Sequence, residues 1–579
     1  MSTVPSCTDV LVVGAGPVGL LTALGLAQQG IDTVIIDKRT LESQEKLGRA
    51  VTLYPRTLEL LEQSGVAGDV CQEAFIGRSY AVYSGGRHAT RGAFRNMFPI
   101  MDVSHHNYIT NIRQSASSRI FAARYHRDSA AAAGGRRREV YHEWALEGFE
   151  VQGGKGDGCN VTARLKHPQL GEQTVRCKYL VGADGGQSSV RRIAGVEMEG
   201  NDTTYRWVRV DGLVRSDVPE PDVSFASVES PSHGLVLWAK LDRDAHRIGF
   251  SLSPRLAEKY PDGLTEEQAA HEAVEAMKPF KVEIERLDWF THYTVKQKVA
   301  STFHTDEYII LAGDAAHTHS SAFAQGMNTG VHDATNLAWK LAGHLKGWYK
   351  PGVLATYTDE RREAAQKLIA IDRLAARAVS GDLAVQEGSG MTPQEAFRSV
   401  METNLSFTTG LGVSYEPSLI GRETLATTLA PGTRSPDALL RRPGPAVQMR
   451  LHEVTHFLNR GRWSVLVFAG HPHRTVAAMA SLRERIMGNG AYLGARTGDE
   501  GMLQLGTIMV GSAPSAWAVF GGPAIGDLYF DVEAVAHDRY GVYPDRGAIV
   551  IVRPDGVFSF AAGLDGLDDV ESFFGALLL

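Results

Sequence analysis

The stretch from Asp9 to Asp37, DVLVVGAGPVGLLTALGLAQQGIDTVIID, constrains this chain more than any other. DVLVV favours a buried strand, GAGPVG a tight turn, LLTALGLAQQG a helix, and DTVIID a second strand. Gly14, Gly16 and Gly19 make G-x-G-x-x-G. The first glycine permits the turn, the second lets backbone approach a pyrophosphate, and the third lets helix and strand pack closely. The helix N-terminus then offers free N–H groups and a partial positive charge to the anion. Asp37 ends the second strand about twenty residues on, where an acid bonds a ribose hydroxyl, and Lys38 beside it joins the same cofactor set. A glycine motif alone is weak; with two strands, a helix and an acid it predicts a dinucleotide cradle. The run is apolar and nearly long enough to span a membrane, yet no basic residue precedes it, so neither a span nor a leader is expected.

Two later segments end in similar loops. RCKYLVGADGG (Arg176–Gly186) and EYIILAGDAA (Glu307–Ala316) each pass from a charged start through an apolar strand into Gly and Asp. Asp184, Gly185 and Asp314 are therefore expected at one edge of a single sheet with Gly14. NAD and FAD both fit the first turn, but contacts from several strand ends suit the longer ligand, FAD. Between these segments, YRWVRVDGLV, GLVLWAKLD, HRIGFSLS and VEIERLDWFTHYTVKQ are β-rich and partly alternating. They predict a mostly antiparallel sheet inserted into the first domain.

The expected fold is mixed α/β. A Rossmann-like FAD-binding domain spans 1–195 and 300–370, a substrate-binding β-sheet domain spans 196–299, and a helical segment with a linker spans 371–432. A separate small α/β domain spans 433–579. SAAAAGGRRR (Ser129–Arg138) reads as an exposed loop, and LAPGTRSPDALLRRPGP (Leu429–Pro445) as a Pro- and Gly-rich linker. With 579 residues, 43% hydrophobic and 22% charged, a large core is available. The net charge of −7 argues against nucleic acid or an anionic membrane as the main partner. Cys7, Cys71, Cys159 and Cys177 form no C-x-x-C, so neither a disulfide framework nor structural zinc is expected. A reducing, cytoplasmic setting suits them.

GDAAHTHSSAFAQGMNTGVHDATNLAWKL (Gly313–Leu341) admits three readings: a metal site, histidine catalysis, or a wrap around a large polar ligand. No H-E-x-x-H or comparable ligand set surrounds His317 and His319, so no metal is expected. Gly326, Asn328, Thr329 and Gly330 suit a loop that brings backbone against a flat ring. A helix beginning near Thr329 would aim its dipole at that ring, with Leu337, Trp339 and Leu341 as core positions. The stretch is read as a flavin wrap, with Met327 and Asn328 in contact.

These motifs together resemble the FAD-dependent single-component aromatic hydroxylases, the class A flavoprotein monooxygenases. YLVGADGGQSSVRRIAG matches that family's internal Asp-Gly motif through Asp184, Gly185 and Arg191. GDAAH…QGMNTGVHDATNLAWKL matches its second FAD motif, which implies that Asp314 bonds the ribityl chain. GRAVTLYPRTLELL implies that Arg49 sits beside the flavin, and ITNIRQSASSRIF that Gln114 contacts it. The Glu that usually follows that Gln is replaced by Ser118. HTHS after GDAA, QGMNT, and a trailing domain similar to thioredoxin without its cysteines point to the phenol hydroxylase branch.

The resemblance implies that NADPH or NADH, binding transiently, reduces FAD, and that O2 then yields a flavin C4a-hydroperoxide that hydroxylates an electron-rich ring. The substrate is a small aromatic molecule, and a phenol is activated by deprotonation, so a base or hydrogen-bond partner is expected beside it. Tyr293, in HYTVKQKVA, matches a tyrosine that contacts the phenol oxygen. The aspartate that helps ionise the phenol in these enzymes is Val51 here, and the proline after HTHS is Ser321, followed by Phe323, a candidate either to close the substrate cavity or to fill space. All four cysteines precede the C-terminal domain, which implies a structural or homodimer-contact role, so that truncation before Thr433 would change oligomeric state or solubility rather than the flavin spectrum. Baeyer–Villiger or epoxidising oxygen insertion, and a non-enzymatic flavin protein, remain the rival readings.

Overall fold

The computed structural model describes residues 3–46, 48–91, 97–152, 158–382, 390–424, 426–444, 447–456, 461–498 and 501–579. Strand β1 (Cys7–Val13), helix α1 (Pro17–Gln28) and strand β2 (Thr33–Asp37) form the strand–turn–helix–strand unit. Every residue of β2 is buried, because a parallel sheet covered on both faces has no solvent side to demand polar alternation. Along the chain follow helix α2 (Gln114–Ala132), strand β3 (Gly171–Gly182), the long strands β4 (Met198–Ser216), β5 (Ala245–Ser251) and β6 (Val282–Ala300), and short β7 (Ile309–Leu311). Helices α3 (Gln325–Leu345) and α4 (Pro351–Val379) come next.

In the first sheet β7, β3, β1 and β2 are parallel neighbours, with Val13 opposite Gly182 and Gly182 opposite Leu311. Gly14, Asp37, Asp184 and the loop carrying Asp314 therefore leave the sheet at one edge, as the repeated endings require. Short bonds hold the edge together: Gly14 N–H donates to Ile36 (2.8 Å), Ala183 N–H to Val13 (2.8 Å) and Ala312 N–H to Gly182 (3.0 Å).

The second sheet is mostly antiparallel and centres on β4, which lies between β5 and β6. Its two faces differ. Val208, Val210, Trp238, Ile248 and Phe250 pack into a core with Met277. Trp207, Arg209, Asp211, Arg247 and Gly249 take the alternate positions and face the other way. Strands Tyr80–Ser84 and Arg87–Arg91 also belong to this sheet, although they fall within the 1–195 span. Sequence order did not reveal them because one parallel pairing, Phe225 beside Tyr80, brings them across.

The C-terminal sheet runs through β8 (Trp463–Gly470), β9 (Leu503–Val510) and β10 (Asp527–Asp531), which are parallel, and β11 (Ala548–Val552) and β12 (Phe558–Ala562), which are antiparallel. Helix α5 (Leu567–Leu577) completes it. This layer is not an appendage. Trp339 of α3, Tyr349 and Val353 share a core with Trp463, Phe573 and Phe574, and the Trp463 indole N–H donates to the Tyr349 hydroxyl at 3.0 Å.

Three expectations change. Ser129–Ala132 continue α2 and Arg138 pairs with Asp32 (2.7 Å), so the exposed loop expected here is confined to the turn at Gly134–Arg137, anchored at both ends. The first part of the expected linker is packed: buried Arg434 donates to Glu59 at 2.6 and 2.8 Å, and Asp437 is buried, whereas Arg441–Gly444 are exposed and Pro445 lies outside the described residues. Helix α3 begins at Gln325 rather than near Thr329, behind Ala324 in a left-handed conformation. Gly326, Met327 and Asn328 are thus its first turn, where N–H groups have no intrahelical acceptor.

Candidate cofactor and substrate site

The glycine turn is shaped by what a side chain would strike. A Cβ on Gly14, whose φ is +106°, would lie 2.4 Å from the Ala183 carbonyl oxygen, and one on Gly19 would lie 1.9 Å from the Gly14 oxygen. At Gly16 it would meet nothing within 4 Å. Two glycines close the turn and one leaves open space above it, which is what a pyrophosphate needs. The Asp37 carboxylate accepts from Ala15 N–H and Arg39 N–H, both at 2.8 Å. Lys38 is exposed beside it.

The other two loops meet this turn. Asp184 Oδ2 accepts from Ser189 N–H at 2.6 Å, while its Oδ1 is buried without a partner. Gly185 has φ +85° and open space around it. Arg191 clasps the two loops, donating to the Gly186 oxygen at 3.0 Å and the Ala315 oxygen at 2.8 Å. Asp314 is exposed and makes no hydrogen bond with the described residues.

His317 is buried. Its Nε2 bonds Asp333 at 2.7 Å, and Asp333 also accepts from Gly313 N–H (3.0 Å) and Arg361 (2.7 Å). Burial alone would raise the Asp333 carboxyl, but His317 and Arg361 outweigh it and hold the group well below the usual carboxylate range. His317 therefore locks the loop. His317 Nδ1, Thr318 Oγ1 and His319 Nε2 are buried without partners, as is Asp184 Oδ1. Unpaired buried polar atoms are costly, and four on facing loops mark where a polar ligand belongs.

Gly330 serves packing instead of ring contact: a Cβ there would stand 2.4 Å from Val18 of α1. The Asn328 side chain is spent inside the protein. It accepts from Tyr54 N–H (3.0 Å) and Thr57 (2.6 Å) and donates to Thr52 and Ala324 (2.9 and 2.7 Å). Buried Met327 accepts from Ser117 at 3.8 Å. At these positions only backbone N–H groups remain for a cofactor.

Arg49 is exposed, on a segment held by the second sheet. Arg247 donates to the Arg49 carbonyl at 2.7 Å and to the Gly48 carbonyl, and is itself fixed by Asp211 at 2.6 and 2.7 Å. Gln114, the first residue of α2, accepts from Ala50 N–H at 3.4 Å. Val51 is buried against Leu241 and Ala245, a setting where an ionised acid would be unfavourable. Phe323 fills space: it is buried against Phe397, ring centroids 5.1 Å apart.

Tyr293 is half-buried, with its hydroxyl 2.6 Å from Ser321 Oγ. Ser321 also accepts from Arg209 at 2.8 Å. The sequence reading missed Arg209, Asp211 and Arg247, yet the alternation W-V-R-V-D in β4 is the signal that separates a charged face from an apolar one.

A family model described as "FAD binding domain" matches residues 7–372, and one described as "Phenol hydroxylase, C-terminal dimerisation domain" matches residues 512–579. The chain belongs to the FAD-dependent aromatic hydroxylase family. It is 28% identical to a phenol 2-monooxygenase of Aspergillus fumigatus over 100% of this chain and 97% of the relative. It is 29% identical to the 3-hydroxybenzoate 4-monooxygenase of Comamonas testosteroni over 81% and 75%. The solved structure of aklavinone-11 hydroxylase with FAD and aklavinone superposes with a TM-score of 0.71 over 99% of both chains at 24% identity, a likeness of fold. As a member of this family the chain is an FAD-dependent monooxygenase, and the open space at Gly16, the orphaned Asp184 Oδ1 and exposed Asp314 fit the cofactor. Among the described residues no helix is long and apolar enough to cross a membrane.

Proposed function

We propose that the chain hydroxylates a phenolic ring, using NADPH or NADH and O2, with the ring oxygen received at Tyr293. The observation that carries this reading is the Tyr293 hydroxyl 2.6 Å from Ser321, in the loop that leads into α3. Bound FAD supplies the oxygen-activating redox chemistry. The FAD-binding part, 1–195 and 300–370 without the Tyr80–Arg91 hairpin, holds it. Gly14, Gly16 and Gly19 with the α1 N-terminus receive the pyrophosphate, Asp37 and Lys38 the ribose side, and Asp184, Gly185 and Asp314 the remaining chain. The N–H groups of Gly326, Met327 and Asn328, in the first turn of α3, would stabilise negative charge on the ring. Arg49 and Gln114 flank it on the segment that Arg247 fixes.

Tyr293 orients the phenol oxygen and Ser321 passes a hydrogen bond behind it. With Val51 buried among apolar groups, no carboxylate at that position removes the phenol proton. The C-terminal layer makes the homodimer contact, and thiols outside any disulfide suit the cytoplasm. The test is direct: purified protein is yellow, acid or heat releases FAD rather than FMN, and phenols stimulate NADPH or NADH consumption with a product heavier by one oxygen. FAD-loaded protein that no phenol stimulates would refute the reading.

A further inference from the structure

Arg209 lies in the middle of β4 and is only 6% exposed. Its side chain crosses Gly249 on the neighbouring strand, where a Cβ would stand 2.7 Å from Arg209 Cδ, so glycine keeps that path open. The guanidinium rests over Trp207, 5.0 Å from a ring centroid. Its protein partners are two neutral oxygens, the Val208 carbonyl (2.9 Å) and Ser321 Oγ (2.8 Å).

Among the described residues no carboxylate pairs with it. Asp211, two residues along, belongs to Arg247. Asp372 is taken by Ser320 and Gln297, and Asp382 by Tyr205. The neighbourhood is rich in donors and short of acceptors. The Trp207 indole N–H is buried without a partner, and the Tyr293 hydroxyl meets the same Ser321 oxygen that Arg209 uses. A buried cation is unfavourable unless paired, so the missing counter-ion is the informative feature.

We propose that Arg209 is a specificity-determining residue that pairs with a negatively charged oxygen of the aromatic substrate, a ring carboxylate or a phenolate. The inference rests on the reading of the site as a phenol-hydroxylating one and narrows its substrate class. A guanidinium favours a planar oxyanion through charge-assisted, bidentate bonds. If the anion is a phenolate, Arg209 lowers the cost of ionising the phenol and takes over a task that the acid missing at Val51 would perform. If it is a carboxylate, Arg209 anchors the far end of the ring and sets its position.

The experiment uses the FAD-loaded full-length protein. Flavin absorbance is followed while it is titrated with 3-hydroxybenzoate, with its neutral isostere 3-hydroxybenzamide, and with 4-cyanophenol below and above that phenol's own pKa. A carboxylate site binds the benzoate more tightly than the amide; a phenolate site binds 4-cyanophenol more tightly above its pKa. Arg209→Gln is expected to cut whichever preference is present by about ten- to a hundredfold while neutral-ring affinity stays within about threefold. Arg209→Lys should restore part of it. Should Arg209→Gln fail to fold, Ser321→Ala serves, since it frees Arg209 from its only side-chain acceptor among the described residues and should shift the same preference. Wild-type protein with no preference for either anion, or an Arg209→Gln loss equal for charged and neutral rings, overturns the proposal. These outcomes are separate from failure of the functional reading, in which no phenol stimulates NADPH or NADH oxidation at all.

Discussion

Two sets of buried arginines divide this molecule. Where the FAD-binding part meets the C-terminal layer, Arg553 is bonded to Glu360 at 2.5 and 3.0 Å and to Asp555 at 2.6 and 3.0 Å. Lys340 and Asn336 complete the Glu360 site at 2.7 and 2.8 Å. In the second sheet, Arg209 has neutral acceptors only among the described residues. The surroundings act in opposite senses: burial pushes Arg209 below its ordinary value, while Asp555 and Glu360 overcome burial and raise Arg553. Glu360, which burial alone would raise, is held at about 2 by Arg553 and Lys340. Matched charges mark a junction that is finished by folding, and an unmatched one marks a place kept for something else.

The largest effect should come from removing the junction altogether. Truncation before Thr433 strips Trp339 and Tyr349 of their cover and leaves Glu360 without Arg553. It is therefore expected to abolish soluble FAD-retaining protein, a stronger outcome than a change of oligomeric state alone. A yellow, folded fragment in size-exclusion chromatography would show that the junction is dispensable. Next, Arg553→Met should destabilise by about 3–5 kcal/mol because Glu360 and Asp555 become uncompensated. Arg209→Met, by contrast, should leave the melting temperature unchanged or higher. Equal losses in thermal melts would erase the distinction between the two arginines.

Beside Ser321, Tyr293→Phe is expected to slow hydroxylation about ten- to a hundredfold, roughly 1.5–3 kcal/mol, with FAD content intact. Single-turnover product formation measures it. Asp314→Ala should weaken FAD retention by about 1–3 kcal/mol, read by fluorescence of released flavin during dialysis.

The smallest effect concerns His105, whose Nε2 lies 3.0 Å from Glu62 and whose Nδ1 lies 3.6 Å from Asp437. Burial would lower His105, but Asp437 and Glu62 outweigh it and raise it to about 9. A raised folded-state value means its stabilisation is complete below the unfolded value of about 6.5 and is lost as pH rises towards 9. Melting temperature should therefore fall between pH 7 and 9, and His105→Gln should flatten that slope. An unchanged slope in the variant would remove His105 from the junction.

Much of this was legible in the residues. The glycine spacing, the two Gly-Asp endings and the apolar runs are legible because turn sterics and strand period are written in adjacent residues, although the bonds that join the loops cross the sheet. His317, read as packing at the loop turn, does so through Asp333 of α3. The start of α3 was misplaced because Gly326 and Asn328 look like loop formers, whereas Asn328 is satisfied by Tyr54 and Thr57, more than 270 residues away. Arg434 and Asp437 looked like linker charges for the same reason: Glu59 and His105, their partners, are distant in the chain.

The sequence by itself determined the dinucleotide cradle, the acids at its rim and the alternation that gives β4 two faces, since these follow from backbone sterics and strand period. Only the tertiary structure decided which charges are answered. Asp211, Asp333 and Glu360 find cations across elements and become fixed supports, while Arg209 finds no carboxylate among the described residues. Desolvation is set by the whole fold around a group and pairing by elements far apart in the chain, so neither can be read from a residue's neighbours.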